Sequence, residues 1–495
     1  MYEANPLTAS YLDDSAQSYV AEEQDSMANL LPGFIFWALL IPVGLFAGFM
    51  YLGDSKILAV AILGGYILCS MLVSPQIAIY IFFAWQAWDG VFLKKFELRG
   101  FTVGKALAFV VLFSYVLHMA RAKMSLGRAK GLVFFSVAFA LLGLLTSPFA
   151  INIFVAVKHC LQMVVLAFIV VVGMKVLDTP ERIYSALFWL VVGSTVAAVG
   201  MLAGMGAGGI GTTKYLRGTL SQDINPITTA LGMTLPISAI PALWGLAKRR
   251  INYLICIICG IFLLAGMMKT GSRAGVGSLG IACAVAGFMV KGREWGKKIL
   301  VTVLAVAFIG VTVLFILNMN ILPEQSQERL EAFVGVGGEE SKATGRMYIW
   351  KSAFAAYIDR NAIIGVGVAN TEFAQQEYSG EFKPVHSSLI APILELGILG
   401  AMTFYGMLWV WFRNVRQIKI TRLGVPAAII FITTLVFSAA HTMHYTKYFW
   451  IPILLCLLLA RQAQMIEAGY DQLSITGTDY DSTSELYSED YVTVG

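Results

Sequence analysis

Charge is scarce in this sequence. Asp, Glu, Lys and Arg make up only 13% of its 495 residues, against roughly 25% in a soluble globular domain. A water-exposed surface of ordinary polarity is therefore excluded. Cationic residues are absent from the first 29 positions, where Glu3, Asp13, Asp14, Glu22, Glu23 and Asp25 stand instead. That is the reverse of a basic leader, so no cleavable signal peptide is expected there. No Lys or Arg follows Arg461 either; seven acids lie among Tyr, Ser and Thr in that stretch. Cysteine is sparse, and all six (Cys69, Cys160, Cys256, Cys259, Cys283 and Cys456) fall within apolar runs. Neither a disulfide framework nor a redox motif is present. Cys256 and Cys259 lie one helical turn apart, but without a neighbouring His or acid they read as packing residues and not metal ligands. The two halves of the chain show no internal repeat.

What is present is hydrocarbon. Apolar residues make up 58% of the chain, in runs at 30–52, 101–119, 131–147, 183–203, 299–317 and 429–440. About 20 apolar residues suffice for a helix to cross a bilayer, and in lipid every backbone amide must be satisfied within its own segment. The 47 glycines suit close helix packing in a membrane and not an alternating barrel pattern. The expected fold is all-α: a polytopic membrane bundle of about 12–14 transmembrane helices. Two segments, 57–73 and 76–93, meet at Ser74-Pro75 and read as a broken or re-entrant pair.

Removing the two acidic tails leaves 35 basic against 17 acidic residues in the membrane part. The basic residues cluster on alternate short loops: Arg121, Lys123, Arg128 and Lys130; Lys175 and Arg182; Lys248, Arg249 and Arg250; Lys291, Arg293, Lys297 and Lys298; and Arg413, Arg416, Lys419 and Arg422. The positive-inside rule makes these loops cytoplasmic, with Lys94, Lys95 and Arg99 as the exception. Both termini then lie in the cytoplasm. The expected organisation is an acidic N-terminal tail (1–29), transmembrane helices (30–317), a large periplasmic segment (318–387), further transmembrane helices (388–460) and an acidic C-terminal tail (461–495). Within the large segment, Met347, Trp350, Phe354 and Tyr357 recur at helical spacing, opposed by Arg346, Lys351, Asp359 and Arg360. This is an amphipathic helix, lying either on the membrane surface or as a cover on the bundle.

Three outward-facing residues stand out. Arg217 precedes Asp223-Ile224-Asn225-Pro226, which opens a span. Arg273, in Thr270-Gly271-Ser272-Arg273-Ala274-Gly275, begins another. Helix N-termini favour anions and guanidinium binds phosphate oxygens bidentately, so the pair suggests a diphosphate pocket; the alternative is snorkelling to lipid headgroups. The glycine-rich run 204–211 reads as a flexible connector. His386 marks the return of the large segment to the membrane, ahead of a span that carries Glu395. An imidazole there is either a general base near neutral pH or an interfacial hydrogen-bonding residue. His441 and His444 could hold a metal or pack with Tyr445 and Trp450, and packing is the expectation. His118 and His159 read as span-end or core residues.

Four stretches within about residues 215–400 resemble the O-antigen ligase and O-antigen polymerase superfamily of lipid-linked-glycan transferases. They are Arg217-Gly218 with Asn225-Pro226; 270–275; Arg346 and Trp350 leading to Ile364-Gly365-Val366-Gly367-Val368-Ala369-Asn370-Thr371-Glu372-Phe373; and Val385-His386-Ser387-Ser388 followed by Glu395-Leu396-Gly397-Ile398-Leu399-Gly400. Two positions depart from the pattern: Ser387 stands where members often carry Asn, and Ala369 where Gly is common. The resemblance implies a metal-independent, inverting glycosyltransferase of the membrane-bound C-type fold in the bacterial inner membrane, without cofactor or nucleic-acid partner. Its donor would be a glycan on undecaprenyl diphosphate, and its acceptor a glycan or glycolipid hydroxyl. By resemblance Arg217 and Arg273 bind the diphosphate, His386 positions or deprotonates the acceptor, and Asp223, Arg346 and Glu395 orient these groups. Ligase and polymerase both remain open, with a slight lean to ligase. The rival reading is a transporter for a lipid-linked or anionic solute, which calls for repeats and midplane charge.

Overall fold

Prolines and capping side chains set where the helices begin. In the computed structural model, which describes residues 56–88, 103–119, 130–203, 226–246, 250–289, 343–380 and 382–467 with a few isolated positions, Pro75, Pro180 and Pro226 each occupy the first position of a helix. Proline suits that position because its missing N–H would have had no helical partner there. Thr179 accepts from the backbone N–H of Arg182 and caps the start at Pro180, and Asn152 accepts from that of Val155 and caps one further start. Apart from isolated positions, the predicted segments 30–52 and 299–317, and both tails beyond 467 and before 56, lie outside the described residues.

Fourteen α-helices are described: α1 (Lys56–Val73), α2 (Pro75–Ala84), α3 (Val103–Met119), α4 (Lys130–Thr146), α5 (Ile153–Val176), α6 (Pro180–Leu202), α7 (Pro226–Leu246), α8 (Arg250–Lys269), α9 (Arg273–Met289), α10 (Ala343–Arg360), α11 (Thr371–Ser379), α12 (Ala391–Arg416), α13 (Thr421–Ala440) and α14 (Lys447–Glu467). Among the described residues there is no strand, and eight helices are long and apolar enough to cross a membrane: α4 to α8 and α12 to α14. Shorter apolar helices lie within α1, α2, α3 and α9. This is an all-helical, multi-pass membrane protein.

The chain divides into two units. The first holds α1, α2 as far as Phe82, and α3 from Ala106. Its break falls at Ser74-Pro75, as expected. Ser74 keeps the helical ladder above and below, donating to Ser70 O at 3.2 Å and accepting from Ala78 N at 3.0 Å, while Pro75 has no N–H to contribute. After Ala84 the chain tightens into a 3₁₀ turn, Gln86–Trp88, where continuous helix was expected.

The second unit contains everything else. Its centre is α14 and α13, most of whose membrane-depth residues are buried, while α8, α4 and α5 turn much of their surface outward. Phe134, Leu145 and Phe154 are outward-facing apolar side chains of the kind a bilayer accepts. Lipid tails are as apolar as leucine, so association here rests on close approach. At Gly193 a side chain would run into the backbone of Ala84, and at Gly245 into the Arg422 carbonyl. Basic residues gather at one end: Arg461 donates to Met174 O at 2.7 Å, Arg182 pairs with Asp178, and Arg413 and Arg416 close α12. α14 continues to Glu467, past the boundary expected at 460, because Gln462 and Ala463 are still buried.

Candidate functional site

The end of the bundle opposite the basic one collects the residues of interest. Gly245, near the end of α7, abuts Arg422 at the start of α13, so α7 and α13 run antiparallel. The start of α7 therefore lies with the end of α13. Near that start, Thr234 Oγ1 touches Gly275 of α9 and Met267 of α8. Tyr448, at the start of α14, approaches Gly232 of α7. The beginnings of α7, α9 and α14 and the ends of α8 and α13 thus share one end.

Arg273 is the first residue of α9, as its motif predicts. The local sequence explains the turn. Gly271, at φ 63°, reverses the chain between α8 and α9. The Ser272 hydroxyl accepts from Gly275 N at 3.3 Å as the cap of α9, and Thr270 turns its hydroxyl onto Met267 O at 2.6 Å. At Gly275 a Cβ would stand 3.0 Å from Met267 Sδ and 3.1 Å from Thr234 Oγ1, a tight fit. Arg273 itself is half-buried. Beside this turn, Lys269 donates to Met201 O at 2.8 Å and covers the end of α6. Arg217 and Asp223 lie outside the described residues, in a stretch that leaves from Ala203 and returns at Pro226. Arg346 falls within α10, and its side chain also lies outside the description.

The amphipathic helix is α10, and its apolar face is covered by the protein itself. Ala353 and Tyr357 form a buried cluster with Val385 and Leu394, with Trp350, Phe354, Ile390 and Ile393 packed against it. That packing is what a helix covering the bundle requires. Trp350 Nε1 also donates to Val385 O at 2.9 Å.

The glycine-rich motif after α10 has a structural task. α12 is broken at Gly397 (φ 64°, ψ −156°), which leaves carbonyls of the preceding turn without helical partners. The motif supplies them: Val366 N donates to Leu394 O at 2.9 Å and Gly367 N to Glu395 O at 2.8 Å, while Ile398 N donates back to Ala362 O at 3.0 Å. A Cβ at Gly365 would collide with the Leu394 and Glu395 carbonyls, and one at Gly397 with Ile363. Ala369 takes φ 55°, a left-handed conformation for which glycine is the easier residue. Asn370 is fully buried and bonds both backbone groups of Asn152, so the motif is fastened to the start of α5.

That break sets Glu395 in the interior. Its carboxylate lies 2.8 Å from His444 Nε2, and the two side chains are 1% and 0% exposed. The resemblance suggested an orienting role for Glu395, while His444 was expected only to pack. His444 does pack, at 4.8 Å from the Tyr445 ring, and its carbonyl accepts from Trp450 Nε1. It is also the partner of Glu395. Glu372, at the start of α11, joins the group electrostatically: burial, and then the charge of Glu395, raise its pKa above the ordinary carboxylate value. Burial, Glu395 and Glu372 together raise Tyr445, so its phenol keeps its proton.

His386 lies at the rim. It is half-buried, takes a left-handed φ of 51°, and its ring centroid is 6.3 Å from that of His441, nearly perpendicular to it. His441 in turn lies 5.1 Å from the Phe437 ring. His441 and His444, three apart in sequence, therefore part company: one faces His386 and the other faces Glu395. The structure brings His386 together with His441, and Glu395 with His444, and it sets Arg273 at the same end of the bundle. The His441 and Ser388 contacts went unread in the sequence. The one available signal was the shared turn of His441 and His444, because a hydrogen bond between residues about fifty apart leaves no local pattern.

These features define a multi-pass membrane protein with a polar, histidine-bearing site at one end of its helices. Residues 257–405, from α8 to α12, match the family model described as O-antigen ligase. The matched stretch is 149 of the 495 residues and shows a likeness to that family. It includes Arg273, Arg346, His386 and Glu395, and stops short of His441 and His444. No curated protein matches the chain.

Proposed function

We propose that this protein transfers a glycan from undecaprenyl diphosphate to a sugar hydroxyl of an acceptor glycan or glycolipid, at the periplasmic face of the bacterial inner membrane. His386 takes the acceptor proton as the hydroxyl oxygen attacks the anomeric carbon. The bond from that carbon to the diphosphate oxygen breaks on the opposite face, so the configuration inverts. Undecaprenyl diphosphate leaves with its charge held by Arg217 and Arg273, as preorganised cations stabilise a developing anion. Asp223, Arg346 and Glu395 orient these groups. The observation that carries the reading is that Arg273, opening a helix, and the strained, half-exposed His386 share the end of the bundle opposite its basic rim.

The test uses purified protein in nanodiscs with a lipid-linked oligosaccharide pool and candidate acceptors. The wild type is expected to transfer glycan, and folded Arg217→Ala, Arg273→Ala and His386→Ala are expected to lose that transfer. A lipid A core acceptor consumed marks a ligase; a second lipid-linked repeat unit consumed marks a polymerase. Wild-type rates in all three variants would sink the assignment.

A further inference from the structure

The backbone on either side of His386 is clamped from both directions. On one side Val385 is buried, and its carbonyl accepts from Trp350 Nε1 at 2.9 Å. On the other side Ser388, fully buried, joins the loop to the end of α13. Its N–H is shared between Ser438 O at 2.7 Å and His441 O at 3.1 Å. Its hydroxyl donates to His441 O at 3.0 Å and accepts from the N–H groups of Met443 and His444. One proton and two lone pairs are all a hydroxyl has, and here all three are used. Ser387, the residue next to the histidine, turns its own hydroxyl back to Leu389 N at 3.3 Å and reaches nothing across the site.

Between these two anchors His386 takes φ 51°, a conformation that persists for a non-glycine residue only where its surroundings over-determine it. The same Ser388 hydroxyl grips the carbonyl of His441. It therefore ties together the backbones of two residues whose rings stand 6.3 Å apart.

We infer that Ser388 is a positioning residue: with Trp350 as the second anchor, it holds the His386 imidazole in its acceptor-facing conformation and at a fixed separation from His441. This rests on the reading of His386 as the acceptor-side base. Ser388 touches no substrate and acts only through the histidine.

The experiment measures transfer kinetics of purified full-length protein in nanodiscs with the lipid-linked oligosaccharide donor. A displacement of about 1 Å at a catalytic group can lower turnover by about 100-fold. Ser388→Ala is therefore expected to lower kcat by roughly 10- to 100-fold, with the KM for the donor unchanged. Ser388→Thr, which restores a hydroxyl, is expected to recover turnover. In a His386→Ala background Ser388→Ala should reduce the residual rate no further, because a residue acting through His386 has nothing left to position; an equal further loss there would overturn the inference. Full transfer by His386→Ala would defeat the reading of His386, and this inference with it. Loss in His386→Ala with wild-type kcat in folded Ser388→Ala would defeat the positioning role alone. If Ser388→Ala does not fold, Trp350→Phe decides: it keeps an aromatic ring but removes the donor to Val385, and a wild-type kcat there overturns the clamp.

Discussion

Two histidine-centred groups lie at the same end of the bundle, only a turn apart in the chain, and they differ in nearly every physical respect. His386 and His441 are half-buried, and His386 is strained at φ 51°. Glu395 and His444 are sealed, 1% and 0% exposed, and bonded at 2.8 Å. A group that must meet a substrate needs exposure and a defined direction, and backbone strain tends to be stored where function requires it. A buried ionisable group instead needs a partner, because an unpaired one is expensive in a low-dielectric interior. The difference teaches that histidine content alone does not mark the site. Exposure and strain set the rim pair apart from the interior pair, which joins α12 to the 441–446 turn.

The largest effect that separates the two groups is on rate. His386→Ala is expected to reduce glycan transfer by about 100- to 10,000-fold, the range for loss of a general base, while the thermal unfolding midpoint changes little. His444→Ala should do the reverse, losing stability first. Removing one partner of a buried pair costs about 3–5 kcal/mol, and Glu395→Ala should match it within that range. Combined replacement by apolar residues of similar size should recover much of the stability, since such a swap is often neutral. Midpoints from detergent-solubilised protein for the singles and the double complete the cycle. Additive losses would mean that the two side chains do not support one another.

The break at Gly397 is the hinge of the comparison, since it sets the Glu395 carbonyl where Gly367 reaches it. Gly397→Ala must place a Cβ against Ile363 in a left-handed conformation. At φ 64°, ψ −156° the backbone is in a region essentially reserved for glycine, where strain costs about 1–3 kcal/mol, and the collision adds to it. A loss of about 2 kcal/mol or more is expected, visible as a lower unfolding midpoint. An unchanged midpoint would show that α12 is not held broken by the 362–367 segment.

How much of this was legible in the sequence follows from how local each signal is. Helices, Pro75, the Arg273 turn and α10 were all readable, because hydrophobic period, proline and caps act within a few residues. The family motif was recognised at Ile364-Gly365-Val366-Gly367, but its task was not, since it becomes visible only when α12 breaks thirty residues later. Glu395 and His386 stand out in the sequence at the span that follows the large segment, and the structure sets Glu395 in the interior and His386 at the rim. The pairing of Glu395 with His444, and the grip of Ser388 on the end of α13, depend on helix packing that no spacing rule encodes. The departure at Ser387 pointed one residue away from the hydroxyl that reaches across.

The smallest expected effect tests whether the sealed pair is felt beyond its own contact. Glu372 has its pKa raised, first by burial and then by the charge of Glu395. An acid whose folded pKa lies above its unfolded value contributes stability that is fully present below the unfolded pKa and is lost as pH rises through the folded one. Stability attributable to Glu372 should therefore decline over the window from the ordinary glutamate value up to the raised one. Glu372→Gln, which cannot ionise, should flatten that part of the profile, and Glu395→Gln should shrink it by removing the charge that contributes to the shift. Unfolding midpoints of the wild type and both variants, measured between about pH 4 and pH 7 around the ordinary glutamate pKa, decide it. A profile that keeps its slope in Glu372→Gln would assign the pH dependence elsewhere. A profile that flattens in Glu372→Gln but is untouched by Glu395→Gln would leave burial as its sole cause and confine the influence of the interior pair to His444.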